Sequence, residues 1–186
     1  MPFTFQRLEI PDLVLVQPRV FPDGRGWFLE TFKASDFAAA GIQGPIVQSN
    51  ESASARGVLR GLHYQVHPHA QGKLVRVPRG AAQDVAVDLR CGSATFGKHV
   101  SVTLSGDNQH ALWIPPGFAH GVCALEDDTQ LLYLITGSEY RPDAERGIHP
   151  HDPALGIRWE VASSARSLSD RDAALPPLAE AEIEFG

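Results

Sequence analysis

The chain has 186 residues, 43% of them hydrophobic, which is enough for one domain with a sizeable core and too little for two, so a single domain over 1–186 is expected. Its formal charge of −6 argues against general binding to nucleic acid or an anionic membrane, while still allowing a local basic cleft for an anionic ligand. Cys91 and Cys123 form no Cys-x-x-Cys pair, no basic leader precedes an apolar run at the amino terminus, and no apolar stretch nears the roughly 20 residues that span a bilayer, so a cytoplasmic protein is expected.

Fourteen prolines and seventeen glycines are spread through the chain, marking frequent turns. β-Rich runs are expected at 13–17, 26–31, 46–49, 58–64 and 73–77, then at 83–89, 99–104, 111–114, 120–125 and 130–136. So many short strands at regular spacing predict an all-β sandwich or barrel. One short helix is expected after the second run, with Ser35 as its N-cap and Gly41 as its stop. Asp84 to Leu89 alternates, which places Val85, Val87 and Leu89 on a core face and Asp84, Ala86 and Asp88 on the other. From Arg141 onward the pattern changes to loops and short helical pieces, read as a tail wrapped on the sandwich.

The most informative run is Val58-Leu-Arg-Gly-Leu-His-Tyr-Gln65, because an apolar strand does not accept Arg60 and His63 without partners. Lys73 follows in the next apolar run. A tunable imidazole, a permanent cation and an amine on neighbouring strands suit a site that removes a proton and holds the resulting negative charge. On a regular strand Arg60 and His63 would face opposite ways, so a bulge or bend near Gly61 is required.

Other candidates carry both a site reading and a structural one. His120 sits just after a Pro-Gly turn, either as a site residue or bonded to backbone. Arg25 and Glu30 could hold a ligand or each other; Gln48, Asn50 and Ser52 share one face of an extended run, as ligand donors or as a polar edge strand. Tyr133 lies in an apolar run, where a phenol usually closes a core hydrogen bond and matters to chemistry only if it faces His63. Asp172, in Ser169-Asp-Arg-Asp, has capping-box spacing, with a His–carboxylate dyad as the sharper reading. His67 and His69 resemble half of a cupin metal motif, yet Gln71 and Lys73 stand where a carboxylate is wanted, so no metal is expected. Dinucleotide, phosphate-loop and nucleophile-elbow motifs are missing, which removes support for nicotinamide, NTP and serine-hydrolase chemistry.

Six runs, in order, resemble the dTDP-4-dehydrorhamnose 3,5-epimerase family: Phe21 to Glu30, Gln48 to Ser54, Leu59 to Gln65, Gln71 to Val77, Asp84 to Arg90 and Pro115 to Gly121. The resemblance spans nearly the whole chain. It implies a cupin-type jelly roll (a double-stranded β-helix) that forms a homodimer, needs no cofactor or metal, and inverts C3 and C5 of a dTDP-4-keto-6-deoxy sugar. By the same resemblance His63 matches the base, Asp172 its partner, Tyr133 the proton donor and Lys73 a cation near the ketone oxygen. Arg25, Glu30, Gln48, Asn50, Arg60, Lys73, His120 and Glu145 match substrate contacts, and Tyr140 an aromatic that stacks on thymine.

The chain departs from the family pattern in places. Leu134 replaces the Lys that usually follows the proton-donating Tyr, the stretch from Thr136 to Tyr140 is one residue longer, and Pro150-His-Asp152 and Ser169-Asp-Arg-Asp172 replace Trp-Asn-Asp and Ser-x-Lys-Asp. Three rival readings stay open: an epimerase of one centre only, a metal-dependent cupin enzyme, and a non-catalytic module that binds sugar nucleotides.

Overall fold

Strand alternation and frequent turns resolve, in a computed structural model that describes residues 2–185, into thirteen strands among the described residues. These are β1 (Phe3–Arg7), β2 (Val14–Pro18), β3 (Phe21–Asp23), β4 (Gly26–Phe28), β5 (Ile46–Ser54), β6 (Leu59–Gln65) and β7 (Gln71–Arg79). β8 (Ala81–Asp88), β9 (His99–Ser105), β10 (Ala111–Ile114), β11 (Phe118–Ala124), β12 (Thr129–Gly137) and β13 (Glu145–Gly147) follow. Two short α-helices, α1 (Ala34–Ala39) and α2 (Asp170–Ala173), interrupt the pattern. One sheet runs β1-β2-β10-β7-β12-β5 and the other β13-β6-β11-β8-β9, with every pairing of these strands antiparallel. The all-β jelly roll expected from the sequence is the fold observed.

Three apolar layers hold it together. Between the sheets lie Val75, Val77, Leu104, Leu112, Phe118 and Val122. Phe37 of α1 packs with Phe3, Val14, Leu74 and Trp113 on the outer face of the first sheet. On the outer face of the second, the tail residues Ile148, Leu155, Trp159, Val161 and Phe185 cover Leu59, Leu62, Val85, Val87 and Leu89. The tail therefore wraps the sandwich as expected, and it changes the reading of β8. Both faces of that strand are buried, so Asp84 and Asp88 point into the molecule and need partners. Asp88 finds Arg90, Ser93 and Thr95; burial works against its charge, but these hydrogen bonds hold the carboxyl far below the usual range.

Other details differ from expectation. The helix begins two residues earlier: Lys33 is its N-cap, because the amides of Asp36 and Phe37 both bond to the Lys33 carbonyl, while Ser35 makes no cap and only meets the Asp36 carboxylate at 3.4 Å. Gly41 does follow the helix in the left-handed region. The run at 26–31 stops at Phe28, where it forms a small separate hairpin with β3. β1, β3 and β13 were not expected; β13 is a three-residue edge inside the tail. No helix among the described residues is long and apolar enough to cross a membrane.

Candidate active site

The site begins at a bulge. β6 pairs with β11 so that His63 opposes His120 and Arg60 opposes Val122, leaving one extra residue on β6. Gly61 absorbs it at φ +104°, and a Cβ there would lie 2.5 Å from the His120 carbonyl oxygen, so only glycine fits. The irregularity turns Arg60 and His63 toward the same cavity of about 310 Å³, which Lys73, Tyr133 and His120 also line. A second, smaller chamber of about 100 Å³ shares three of those residues, His63, Lys73 and Tyr133, and adds Asn50, Tyr140 and Glu145. Tyr133 thus faces the same space as His63. Another cavity, beneath α1, has no titratable lining residue and offers no comparable chemistry.

His63 Nε2 lies 2.7 Å from Asp172 Oδ1. The capping and dyad readings of Asp172 are both realised: its amide donates to the Ser169 hydroxyl at 3.1 Å, which starts α2 and aims the carboxylate at the imidazole. Burial would raise the Asp172 carboxyl pKa, but the bonds from His63, the Gly61 amide and Ser169 bring it below the ordinary value. An ionised carboxylate only accepts, so Nε2 carries the proton and Nδ1 is left as the basic nitrogen.

Lys73 enters from the start of β7. Its ammonium has no hydrogen-bonded or ion-pair partner among the described residues. Burial lowers its pKa to about 8, against the pull of Glu145 and Asp84. An unpartnered cation lining the same cavity as the Asp172-held imidazole is placed to meet a developing oxyanion. His120 is bonded to a side chain and not to backbone: both Asp84 oxygens lie within 3.0 Å of its Nε2.

At the mouth, Tyr140 Oη donates to Glu145 Oε2 at 2.5 Å, and the Arg171 guanidinium bonds the same oxygen. Burial opposes the Glu145 charge, but the Tyr140 and Arg171 bonds hold its carboxyl below the usual range. Gln48 and Asn50 lie on β5, the outermost strand of its sheet, bonded to one another at 2.9 Å; they are both an edge and part of the cleft's surroundings. Arg60 reaches Ser54 on the same strand.

Two expected contacts are elsewhere in this chain. Arg25 is almost fully exposed at the hairpin turn and pairs with Asp23 at 2.6 Å, not with Glu30. Glu30 borders a shallow surface depression with Phe21 and Phe28. The cause is the β3–β4 hairpin, which joins neither large sheet. Three residues that the sequence reading passed over do line or support the cleft. Arg171 and Ser169 were signalled by the same Ser-Asp-Arg-Asp run as Asp172, and Asp84 by its place opposite a core face. Among the described residues no three His, Cys, Asp or Glu side chains converge as a metal set. His69 Nδ1 meets Ser138 Oγ at 3.2 Å, and His67 lies against Phe185.

Residues 7–180 match the family model described as dTDP-4-dehydrorhamnose 3,5-epimerase. An enzyme of that name from Shigella flexneri is 49% identical over 167 residues, 89% of this chain and 91% of that one. The crystal structure of dTDP-4-dehydrorhamnose 3,5-epimerase from Sulfolobus tokodaii superposes with a TM-score of 0.91 at 47% identity, covering 98% of this chain and 99% of that one. A Legionella pneumophila epimerase in complex with dTDP-4-keto-L-rhamnose gives 0.92 at 43% identity, covering 96% and 94%.

Proposed function

This chain belongs to the dTDP-4-dehydrorhamnose 3,5-epimerase family, and from that premise we propose that its cleft epimerises dTDP-4-dehydro-6-deoxy-D-glucose at C3 and C5, giving dTDP-4-dehydro-L-rhamnose. The C4 ketone acidifies the protons on both neighbouring carbons. His63, oriented by Asp172, takes each proton; the electrons move onto the C4 oxygen as an enolate, which Lys73 holds by charge and hydrogen bond. Tyr133 then returns a proton to the other face of the ring. No electron acceptor, metal or cofactor is needed for this exchange. A preorganised donor in a water-poor site is worth roughly 3–4 kcal/mol of barrier, and an oriented base roughly 10²–10⁴-fold in rate.

The observation that carries the reading is that His63, Lys73 and Tyr133 form the wall common to both chambers. In the larger chamber Arg60, Arg171 and His120 supply the basic cleft suited to a diphosphate. Beyond it Gln48, Asn50, Glu145 and Tyr140 suit a nucleoside, with the Tyr140 ring stacking on thymine. We further propose one catalytic domain per chain, a cytoplasmic location and a homodimer. Phe21, Trp27 and Phe28 are exposed on the β3–β4 hairpin, and dimerisation would bury them and let Arg25 and Glu30 approach a second copy's cleft.

The deciding experiment incubates chelator-treated protein with dTDP-4-keto-6-deoxy-D-glucose in D₂O and follows C3 and C5 by NMR. Deuterium at both positions, with a product that a rhamnose-forming reductase accepts, is expected. Label at one position alone would make it a single-centre epimerase. No label, with activity restored by added metal, would return the metal-cupin reading, and dTDP binding without exchange the binding module.

A further inference from the structure

The segment that carries Tyr140 belongs to no strand or helix, since β12 ends at Gly137 and β13 begins at Glu145. A loop of that kind ordinarily leaves its backbone groups to water and moves accordingly. Here four consecutive residues are each bonded to a glutamine side chain from a strand. Gln71 Nε2 donates to the Ser138 carbonyl at 2.9 Å and Gln65 Nε2 to the Glu139 carbonyl at 3.3 Å. The Tyr140 amide donates to Gln48 Oε1 at 2.8 Å and the Arg141 amide to Gln65 Oε1 at 2.6 Å. The three glutamines sit on β5, β6 and β7, so they join the segment to both sheets at once. Gln65 is the centre of the arrangement: it is buried, and its remaining capacity goes to the His69 carbonyl at 2.7 Å.

We infer that Gln65, with Gln71, is a positioning residue for nucleotide recognition: it fixes the backbone of 138–141 so that the Tyr140 ring stands ready at the mouth of the cleft before any ligand arrives. The inference rests on the stacking role proposed above for Tyr140. Its physical basis is that a loop ordered in advance gives up no conformational freedom on binding, whereas a free one does. Gln65 borders the smaller chamber, but both polar atoms of its amide are already engaged by the segment and by the His69 carbonyl, so its part is to hold Tyr140. The effect belongs in nucleotide affinity and KM, and not in turnover at saturation. It also acts only through Tyr140.

That last property gives the test, a double-mutant cycle on dTDP affinity by calorimetry with Gln65→Met, Tyr140→Ala and the double variant. Tyr140→Ala is expected to weaken dTDP about tenfold or more, and Gln65→Met alone about tenfold, the equivalent of one well-made ordering contact. In the Tyr140→Ala background Gln65→Met is expected to change Kd less than about twofold. Turnover of Gln65→Met at saturating substrate should stay within about twofold of the wild type while KM rises. Equal weakening in both backgrounds overturns the inference, because Gln65 would then act on the fold at large. No weakening by Gln65→Met, with Tyr140→Ala weak, overturns it while leaving the stacking role standing; an unaffected Tyr140→Ala removes the stacking role itself. If Gln65→Met does not fold, Gln71→Met, which loses a single bond, should show the same pattern at about threefold, and its absence there counts equally against the idea.

Discussion

His63 and Asp172 stand 109 positions apart, yet the imidazole Nε2 lies 2.7 Å from a carboxylate oxygen that is almost wholly buried. The bond fixes the tautomer and the ring plane together; the Gly61 amide donates to the carboxylate in turn, and the Ser169 hydroxyl caps the helix that carries it by accepting from the Asp172 amide. Replacing Asp172 by Asn keeps the shape, removes the charge and allows the amide to donate where only acceptance is useful. Asp172→Asn should therefore lower kcat by about 10²–10⁴-fold with dTDP affinity changed little. Deuterium wash-in at C3 and C5 measures the first and calorimetry the second. A variant that exchanges at the wild-type rate would remove Asp172 from the mechanism.

In the proposed reaction Lys73 can serve as donor only while protonated, and burial has brought its pKa down to about 8. For the free enzyme, kcat/KM should accordingly fall about tenfold per pH unit above that value. Lys73→Arg keeps its charge across the range, so the alkaline limb should vanish from its profile even though its rate is lower throughout. A limb at the same pH in Lys73→Arg would assign it to another group.

The same burial makes Lys73 a liability to the fold. Its ammonium is harder to keep charged in the folded cleft than in the unfolded chain, where the value is 10.5. Below about pH 8 both states bind the proton and the folded state bears the whole penalty; between about 8 and 10.5 only the unfolded state still holds it, so stability rises with pH through that window. Lys73→Met should then be the more stable protein at pH 7, by about 1–3 kcal/mol, and inactive. Denaturant melts at pH 7 and pH 10 give the comparison: the advantage of Lys73→Met must shrink at the higher pH, and an advantage that stayed constant would trace to packing instead.

What could be read in advance follows from whether the signal is local. Alternation and turn residues mark β5 to β12 because each strand announces itself by its own sequence, and Arg60, His63 and Lys73 stand out because charge in an apolar run is costly wherever the strand lies. β13 has three residues and no pattern; only pairing with β6 makes it a strand. The Asp84, Ala86 and Asp88 face of β8 proved to be buried as well, because it lies between the sheets while the tail residues Trp159 and Val161, some seventy residues on, cover the valine face. Arg171 could not be picked out in its own run, because what gives it a place at the cleft is Glu145, which comes from a different part of the chain. The glutamine bonds to 138–141 likewise depend on three strands meeting one loop, which no spacing encodes.

Gly61 is where the fold and the chemistry depend on one residue. At φ +104° any side chain is strained, and here the space is closed as well: a Cβ would stand 2.5 Å from the His120 carbonyl oxygen and 2.7 Å from Gly121 Cα, both backbone atoms that cannot swing aside. Gly92, at φ +85°, has nothing within 4 Å of the same built atom. Gly92→Ala isolates the backbone preference and should cost about 1 kcal/mol, whereas Gly61→Ala adds overpacking and should cost about 3 kcal/mol or more, lowering Tm by roughly 6–12 °C. Because the bulge is what brings Arg60 and His63 to one side, Gly61→Ala should also lose activity at temperatures where it remains folded, and Gly92→Ala should not. Two melts and two rate measurements decide it. Equal stability losses in the pair would mean that the bulge relaxes around a methyl group, and full activity in a folded Gly61→Ala would show that its geometry is not what aligns the site.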